Sequence, residues 1–487
     1  MCQLYALQQK GKLILRIEDT DTKRSVPGGL EGIIFSLDLL GIKDDEGPVS
    51  GGDFGPYVQT ERLDIYKKYS DELIEKDHAY RCFCTAERLA TLKEEQTITK
   101  QKRQYDGKCR HLSAEEIQAN LDAGMPYVVR MRVPENEDLP FDDLALGHIV
   151  FNTNEVNDQV LMKANGIPTY HLAVVVDDHL MGITTVHRGA EWLSSTPKQI
   201  LLYRYFGWDM PETVHVPLLL GQKGQGKLSK RKGNVAVLDY LRNGYIKEGF
   251  INCLMLVGWS PDPKVARPDE IYDFDFFVQN FDHSRIKKSG GRLSAEKFDA
   301  INAVWLAKLS GEELYDRTML WIKLVEEDTV VDQMRGITEE LADKRKKAGE
   351  IKAFFEADKA RAVALLDIIK LRMKRLTDVY DWLSVLWNGS SDFDRDSIAL
   401  VLPDIEKQKE IVYNLRVALE KLTTWNQEEW EPAIRALADS YGMKHGDLFM
   451  VLRVIVTGKK VSPPLREFMV LAGRDFVARR FEKFATV

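Results

Sequence analysis

At 487 residues the chain is too long for one ordinary core, and roughly three domains are expected. Its 44% hydrophobic and 29% charged residues fit a soluble globular protein, and apolar stretches such as Ile251 to Trp259 are far too short to cross a bilayer. A net charge of −7 argues against indiscriminate nucleic-acid binding, and five cysteines make no disulfide framework in a chain of this length. With no export leader at Met1-Cys2-Gln3-Leu4-Tyr5, a cytoplasmic setting without membrane contact is expected.

Residues 1–10 read as the end of a helix stopped by Gly11, with Leu4 and Leu7 on one side. Lys12 to Ile17 is a short apolar run that predicts a buried strand, ending in the acids Glu18, Asp19 and Asp21. In open α/β sheets ligands bind at that edge of the strands. Helices are predicted from about Gly29 to Leu40 and from Glu61 to Lys76. A cysteine-bearing stretch, roughly 80–165, carries its own strand at Tyr127–Val133. Tyr170 to Val176 and Ile183 to His187 then read as strands of the returning α/β core, followed by a helix from Trp192. An insertion splitting an α/β domain is the economical reading.

Lys227-Leu228-Ser229-Lys230-Arg231 follows a glycine-rich turn at Gly221, Gly224 and Gly226. Two lysines and an arginine on such a loop can close over a polyphosphate, where they stabilise charge developing during phosphoryl or nucleotidyl transfer. A solvated basic turn is the plainer alternative. From about residue 306 the apolar residues recur at helical spacing, as in Val363, Leu366, Ile369, Ile368 and Leu371, so 306–487 is expected to be all-helical. This part is patchily basic: Asp343–Arg375 holds eleven Lys/Arg against five Asp/Glu, and Arg453–Lys483 eight against three. Such patches suit phosphate contacts or merely solvated helix faces.

Cys82-Phe83-Cys84 and Cys109-Arg110-His111 form a second constellation. Three thiolates and an imidazole suffice for a closed tetrahedral zinc site of structural type. Cys2 and Cys253 fall outside the pattern and read as free thiols.

Arg16-Ile17-Glu18-Asp19-Thr20-Asp21, the stretch Pro168 to Gly182 and the Lys227–Arg231 pentapeptide occur in this order in bacterial-type glutamyl-tRNA synthetases, which the chain resembles from Met1 to nearly Val487. Val461-Ser462-Pro463-Pro464-Leu465 resembles that family's anticodon-binding domain. The resemblance implies an α/β, Rossmann-type class I catalytic domain at 1–79 and 166–225, and an inserted acceptor-stem-binding domain at 80–165. A stem-contact region at 226–305 and an all-α anticodon-binding domain at 306–487 complete the implied layout. It implies a monomeric ligase that activates L-glutamate with ATP and Mg²⁺ and charges tRNA(Glu).

By the same resemblance Lys230, helped by Lys227 and Arg231, stabilises the adenylate-forming transition state, and Ser229 and Trp192 join Lys230 in binding ATP. Glu18 holds the substrate's α-amino group, while Tyr170 and Arg188 read its side-chain carboxylate. Arg188 suits that task because a guanidinium fork binds two oxygens, and a neutral amide would leave the charge unpaired. Some members carry the Cys82, Cys84, Cys109 and His111 pattern as a Zn²⁺ site. The family's chains start with a strand and a histidine-containing signature loop that have no equivalent here, since His111, His171, His179 and His187 stand in other contexts. A misassigned start or truncated gene is therefore expected, with impaired chemistry in the chain as given. The alternative is a paralogue that binds tRNA without charging it. A shortened relative that glutamylates a tRNA base would lack the helical domain, and an unrelated nucleotidyltransferase would not explain it.

Overall fold

Leu4 anchors the first helix, α1 (Cys2–Gln9), which ends where Lys10 turns left-handed at φ 54° just before Gly11. The computed structural model describes residues 1–21, 29–220, 236–292, 294–329, 332, 336–390 and 392–486. The chain packs as two units, Met1–Leu228 with Leu254–Leu293 and Ser229–Cys253 with Ser294–Val487. Among the described residues no helix is long and apolar enough to cross a membrane.

In the first unit α2 (Gly29–Leu40) and α3 (Leu63–Glu75) match the sequence expectation closely. Lys12–Ile17 does not form a regular strand. It makes isolated parallel bridges, Ile14 to Glu46 and Ile17 to Val58, because its partners are loop segments and no ladder propagates. Next come β1 (Ala79–Cys82), α4 (Ala86–Ile98), α5 (Ala114–Asp122), β2 (Val128–Met131), β3 (Asp138–Asp143), β4 (Gly147–Asn152) and β5 (Val160–Met162). β1, β2 and β5 make one antiparallel sheet.

The largest departure from the sequence reading is at Tyr170–Val176, which is helical. It forms most of α6 (Tyr170–Leu180), entered from an extended Thr169. Leu172 to Val176 are all at most 5% exposed, so the segment is apolar on every side. Such a run has no period to separate a buried helix from a buried strand, and burial overrides the strand preference of three successive valines. β6 (Thr185–Gly189) begins two residues later than the predicted strand. α7 (Thr196–Phe206) and β7 (Glu212–Val216) follow. The second sheet has the order β4-β3-β7-β6, with a β3–β4 hairpin and β7 parallel to both β3 and β6. β3 therefore carries its terminal residue, Asp143, to the strand that neighbours β6.

The second unit is helical, as expected for the C-terminal part. Its helices include Ala295–Lys308, Gly311–Glu326, Glu339–Ala357, Lys359–Ile369, Ile405–Glu420 and His445–Thr457. Ser310 and Glu313 close a reciprocal cap at the start of Gly311–Glu326, satisfying backbone donors that the first turn leaves free. Phe355, Leu366, Ile369, Trp430, Ile455 and Phe468 belong to one continuous apolar core. Leu371, placed on the same stripe by spacing alone, is 78% exposed because the helix has given way to a short 3-10 turn, Lys370–Arg372.

Candidate active site

The acids at the end of the first apolar run are tied to the C-terminal half of α6 by one arginine. Arg16 donates from Nη1 to Asp178 Oδ1 at 2.8 Å and from Nη2 to Glu18 Oε1 at 3.3 Å. Asp177 lies beneath them, fully buried. It accepts from Arg62 Nε at 2.8 Å, Gln59 Nε2 at 2.9 Å and Tyr66 Oη at 2.8 Å. A bare carboxylate could not be buried there, so these donors are what allow Asp177 to sit in the interior. Desolvation pushes the Asp178 carboxyl up, against the pull of Arg16, and does the same to Glu18.

Tyr170, at the start of α6, stacks at a tilt on Trp192, with ring centroids 4.4 Å apart. Trp192 sits in the 3-10 turn Ala190–Ser195 and stays 38% exposed. Burial raises the Tyr170 phenol's pKa, with Glu18 adding to the shift and Arg188 opposing it. Glu18, Tyr170, Arg188 and Trp192, separated by up to 174 positions (192 − 18), thus share one neighbourhood.

Arg188 projects from β6. Its Nε donates to His215 Nε2 at 3.0 Å, its Nη2 to Thr196 Oγ1 at 2.9 Å, and its Nη1 to Gln199 Oε1. All three acceptors are neutral, and among the described residues no carboxylate lies at ion-pair distance from this guanidinium. Burial pushes its pKa down, outweighing the upward pull of Tyr170 and of the more distant Asp178 and Asp143. Two further polar atoms nearby lack partners, His171 Nδ1 and Tyr203 Oη. Desolvation, with Lys198 and Arg188 adding to it, lowers His171 to about 4, so the ring is neutral near pH 7. The arrangement offers an unmatched cation and unpaired polar atoms to an anionic ligand, and the Glu18 carboxylate to a cationic group.

Lys227, Ser229, Lys230 and Arg231 lie outside the described residues.

The thiols of Cys82, Cys84 and Cys109 converge, all within 4.8 Å of one another. His111 is not among them. It closes the 3-10 turn Lys108–His111 and is exposed. Tyr105 takes the expected place instead. Its Oη lies 3.4 Å from both Cys82 Sγ and Cys84 Sγ and accepts from the Cys109 backbone N–H at 2.9 Å. Three thiols from a strand end and a turn, with a phenol among them, are a donor set that suits Zn²⁺. Burial, with the Cys109 and Cys82 thiols adding to it, raises Cys84 to about 11 even though Arg88 Nη1 lies 3.5 Å from its sulfur.

Sequence reasoning did not single out Arg62, Gln59, Thr196, Gln199, Asp143 or His215. Their only trace is polarity in segments that otherwise read as core, such as His215 in Thr213–Val216.

Residues 1–299 match the family model of tRNA synthetases class I (E and Q), catalytic domain, and residues 338–485 match an anticodon binding domain. A glutamate–tRNA ligase of Gloeobacter violaceus is 39% identical over 485 residues, covering 98% of this chain and 90% of its own. One from Finegoldia magna is 38% identical over 490 residues, covering 99% and 94%. A glutamate tRNA ligase from Elizabethkingia meningosepticum, solved in complex with its amino acid, matches with a TM-score of 0.83 at 30% identity, covering 100% of this chain and 94% of its own. A glutamate–tRNA synthetase from Elizabethkingia anophelis gives 0.81 at 31%, covering 100% and 95%.

Proposed function

This chain belongs to the class I tRNA synthetases of glutamate and glutamine, and on that premise we propose that it is a glutamate–tRNA ligase. In the first step an oxygen of the glutamate α-carboxylate bonds to the α-phosphorus of ATP and pyrophosphate leaves. In the second, a 3′-terminal ribose hydroxyl of tRNA(Glu) attacks the acyl carbon and AMP leaves.

The observation that carries the choice of glutamate is Arg188, a guanidinium held by neutral acceptors only. A γ-carboxylate supplies the missing anion, whereas an amide would leave the cation unpaired in a desolvated pocket. Tyr170 borders the same carboxylate, and Glu18 receives the α-ammonium. Trp192 and Ser229 border the nucleotide. Lys230, with Lys227 and Arg231, meets charge on the phosphate oxygens as the pentavalent phosphorus forms, which raises rate rather than affinity alone. Mg²⁺ arriving with ATP supplies further neutralisation of the phosphates. Cys82, Cys84 and Cys109, with Tyr105 beside them, would hold Zn²⁺, which would supply a structural tie between the end of β1 and the Lys108–His111 turn.

We assign 1–79 and 166–225 to catalysis, 80–165 to the acceptor stem, 226–305 to the stem contact and 306–487 to the anticodon, in a cytoplasmic monomer. Support for the last region comes from Arg453. Its Nε has no partner, and Arg372 presses a like charge on it. A cavity of about 620 Å³ near Ser462 and Pro463 is lined by Tyr380, Trp382 and Phe393, rings on which splayed bases can stack.

The test is glutamate-dependent ATP–pyrophosphate exchange with tRNA(Glu) present, and glutamylation of that tRNA, by the full chain, with Arg188→Gln beside it. The variant is expected to lose roughly 100-fold or more in kcat/KM for glutamate. Charging of glutamine in preference to glutamate by the unmutated chain would overturn the reading.

A further inference from the structure

Arg188 is one end of a buried chain of three side chains. Arg188 and His215 are registered partners on β6 and β7, so their side chains leave the same face of the sheet. His215 Nε2 takes the Arg188 Nε–H at 3.0 Å, and its Nδ1 lies 2.7 Å from Asp143 Oδ2 at the end of β3. His215 and Asp143 are 1% and 3% exposed. Asp143 is itself firmly held. Its Oδ1 accepts the backbone N–H of Ala145 and Leu146 at 2.9 and 2.8 Å, and its Oδ2 also accepts that of His215 at 3.0 Å. Burial would raise the Asp143 carboxyl, yet these donors hold it below the usual carboxylate range.

The chemistry of the chain fixes its proton. An imidazole nitrogen that accepts from a guanidinium N–H must be bare, so the ring proton sits on Nδ1, where a carboxylate receives it. The reverse tautomer would set N–H against N–H at Arg188 and a lone pair against an anion at Asp143. A doubly protonated ring would add a second cation beside the guanidinium. Of the five N–H groups of the guanidinium, His215, Thr196 and Gln199 take one each, leaving one on each terminal nitrogen, with the Tyr170 hydroxyl as a further neutral partner beside them.

We propose that Asp143 and His215 are positioning residues for amino-acid selection: Asp143 locks the His215 tautomer, and His215 fixes the plane of Arg188 so that the guanidinium edge shared with Tyr170 faces the substrate's side-chain carboxylate. The inference rests on the reading of Arg188 given above. It makes glutamate selection depend on β3, a strand that precedes β6 by more than 40 residues (185 − 143 = 42) and touches no substrate.

The experiment measures steady-state pyrophosphate exchange by the full chain in the presence of tRNA(Glu), varying glutamate and ATP separately. His215→Phe, which keeps a ring but removes the acceptor, is expected to raise KM for glutamate about 10- to 100-fold while KM for ATP stays within about 2-fold. His215→Gln, whose amide oxygen can accept near the Nε2 position, is expected to recover most of that loss. Asp143→Asn is expected to give a smaller rise of the same kind. Equal changes in both KM values, or none, would overturn the positioning role. Arg188→Gln separates the two levels. If it raises KM for glutamate and His215→Phe does not, only the relay fails; if it has no effect, the reading of Arg188 falls and the relay with it. Nitrogen-15 spectra of the unmutated protein give a check that needs no variant to fold. They should show His215 with Nδ1 protonated and Nε2 bare, and an Nε2–H tautomer would overturn the proposal.

Discussion

Arg62 Nε meets Asp177 Oδ1 at 2.8 Å, with the two side chains only 3% and 0% exposed. Asp177 also receives Gln59 and Tyr66, and Arg16 lies 3.6 Å away. The carboxylate is therefore the common partner of two arginines at the end of α6. Removing it strands Arg62 in a desolvated place, while Arg16 keeps Asp178 and Glu18. Asp177→Ala is expected to destabilise the first unit by about 3–5 kcal/mol, and Asp177→Asn by less, since its amide oxygen can still accept. Chemical denaturation followed by the fluorescence of Trp208, beside α6, measures this, and a loss below about 1 kcal/mol, the worth of a surface pair, would refute it.

The thiol cluster makes a prediction that separates two candidate ligands. Cys109→Ser should release zinc. Tyr105→Phe should weaken zinc binding about 10- to 100-fold, the usual effect of losing one supporting donor. His111→Ala should leave it unchanged, because the imidazole is exposed and outside the cluster. Zinc content by mass spectrometry and chelator competition report all three. A metal-free native protein would remove the assignment, and zinc loss in His111→Ala would restore the histidine.

Why Tyr105 is hidden from sequence reasoning is physical. A Cys-x-Cys and Cys-x-His pattern advertises soft ligands, whereas a tyrosine four residues before Cys109 looks like a core aromatic until the turn folds it inward. The same limit applies to Asp143 and His215. Glu18, Tyr170 and Arg188 are singled out through the resemblance, whereas Asp143 reaches Arg188 only through strand register. Helices with a clear apolar stripe, such as Leu63–Glu75, are read correctly from period alone. Tyr170–Val176 is not, because a segment buried on all faces carries no stripe. Glu18, from the acid cluster after Ile17, meets α6 through Arg16 even though the expected strand before it reduces to two bridges.

Lys230 lies outside the described residues, so its expectation comes from its charge, its place in the chain and the family resemblance. If it meets phosphate oxygens in the transition state, Lys230→Ala should slow pyrophosphate exchange about 100- to 1000-fold. The thermal midpoint should not move. A variant that exchanges pyrophosphate at the normal rate would remove this lysine from the mechanism, and one that unfolds would assign it to structure instead.

Acid stability of the second unit should turn on Asp332. Arg242 Nη1 and Nη2 donate to its two oxygens at 2.7 Å each, and Thr329 adds its backbone N–H and hydroxyl. Burial alone would raise the carboxyl, but these donors prevail and lower it from 3.8 to about 2. Because the folded value lies below the unfolded one, the stabilisation is present in full above about pH 4 and disappears as pH falls toward about 2. The gap is worth roughly 2 kcal/mol. Trp321, whose Nε1 donates to the Arg242 carbonyl at 3.1 Å, reports locally by fluorescence. Asp332→Asn should lower the denaturant midpoint at pH 7 and flatten its fall between about pH 4 and 2. An unchanged slope in that window would mean that other carboxylates govern the acid transition. Asp178 and Glu18 cannot supply it, since their raised values favour the folded state at lower pH rather than higher.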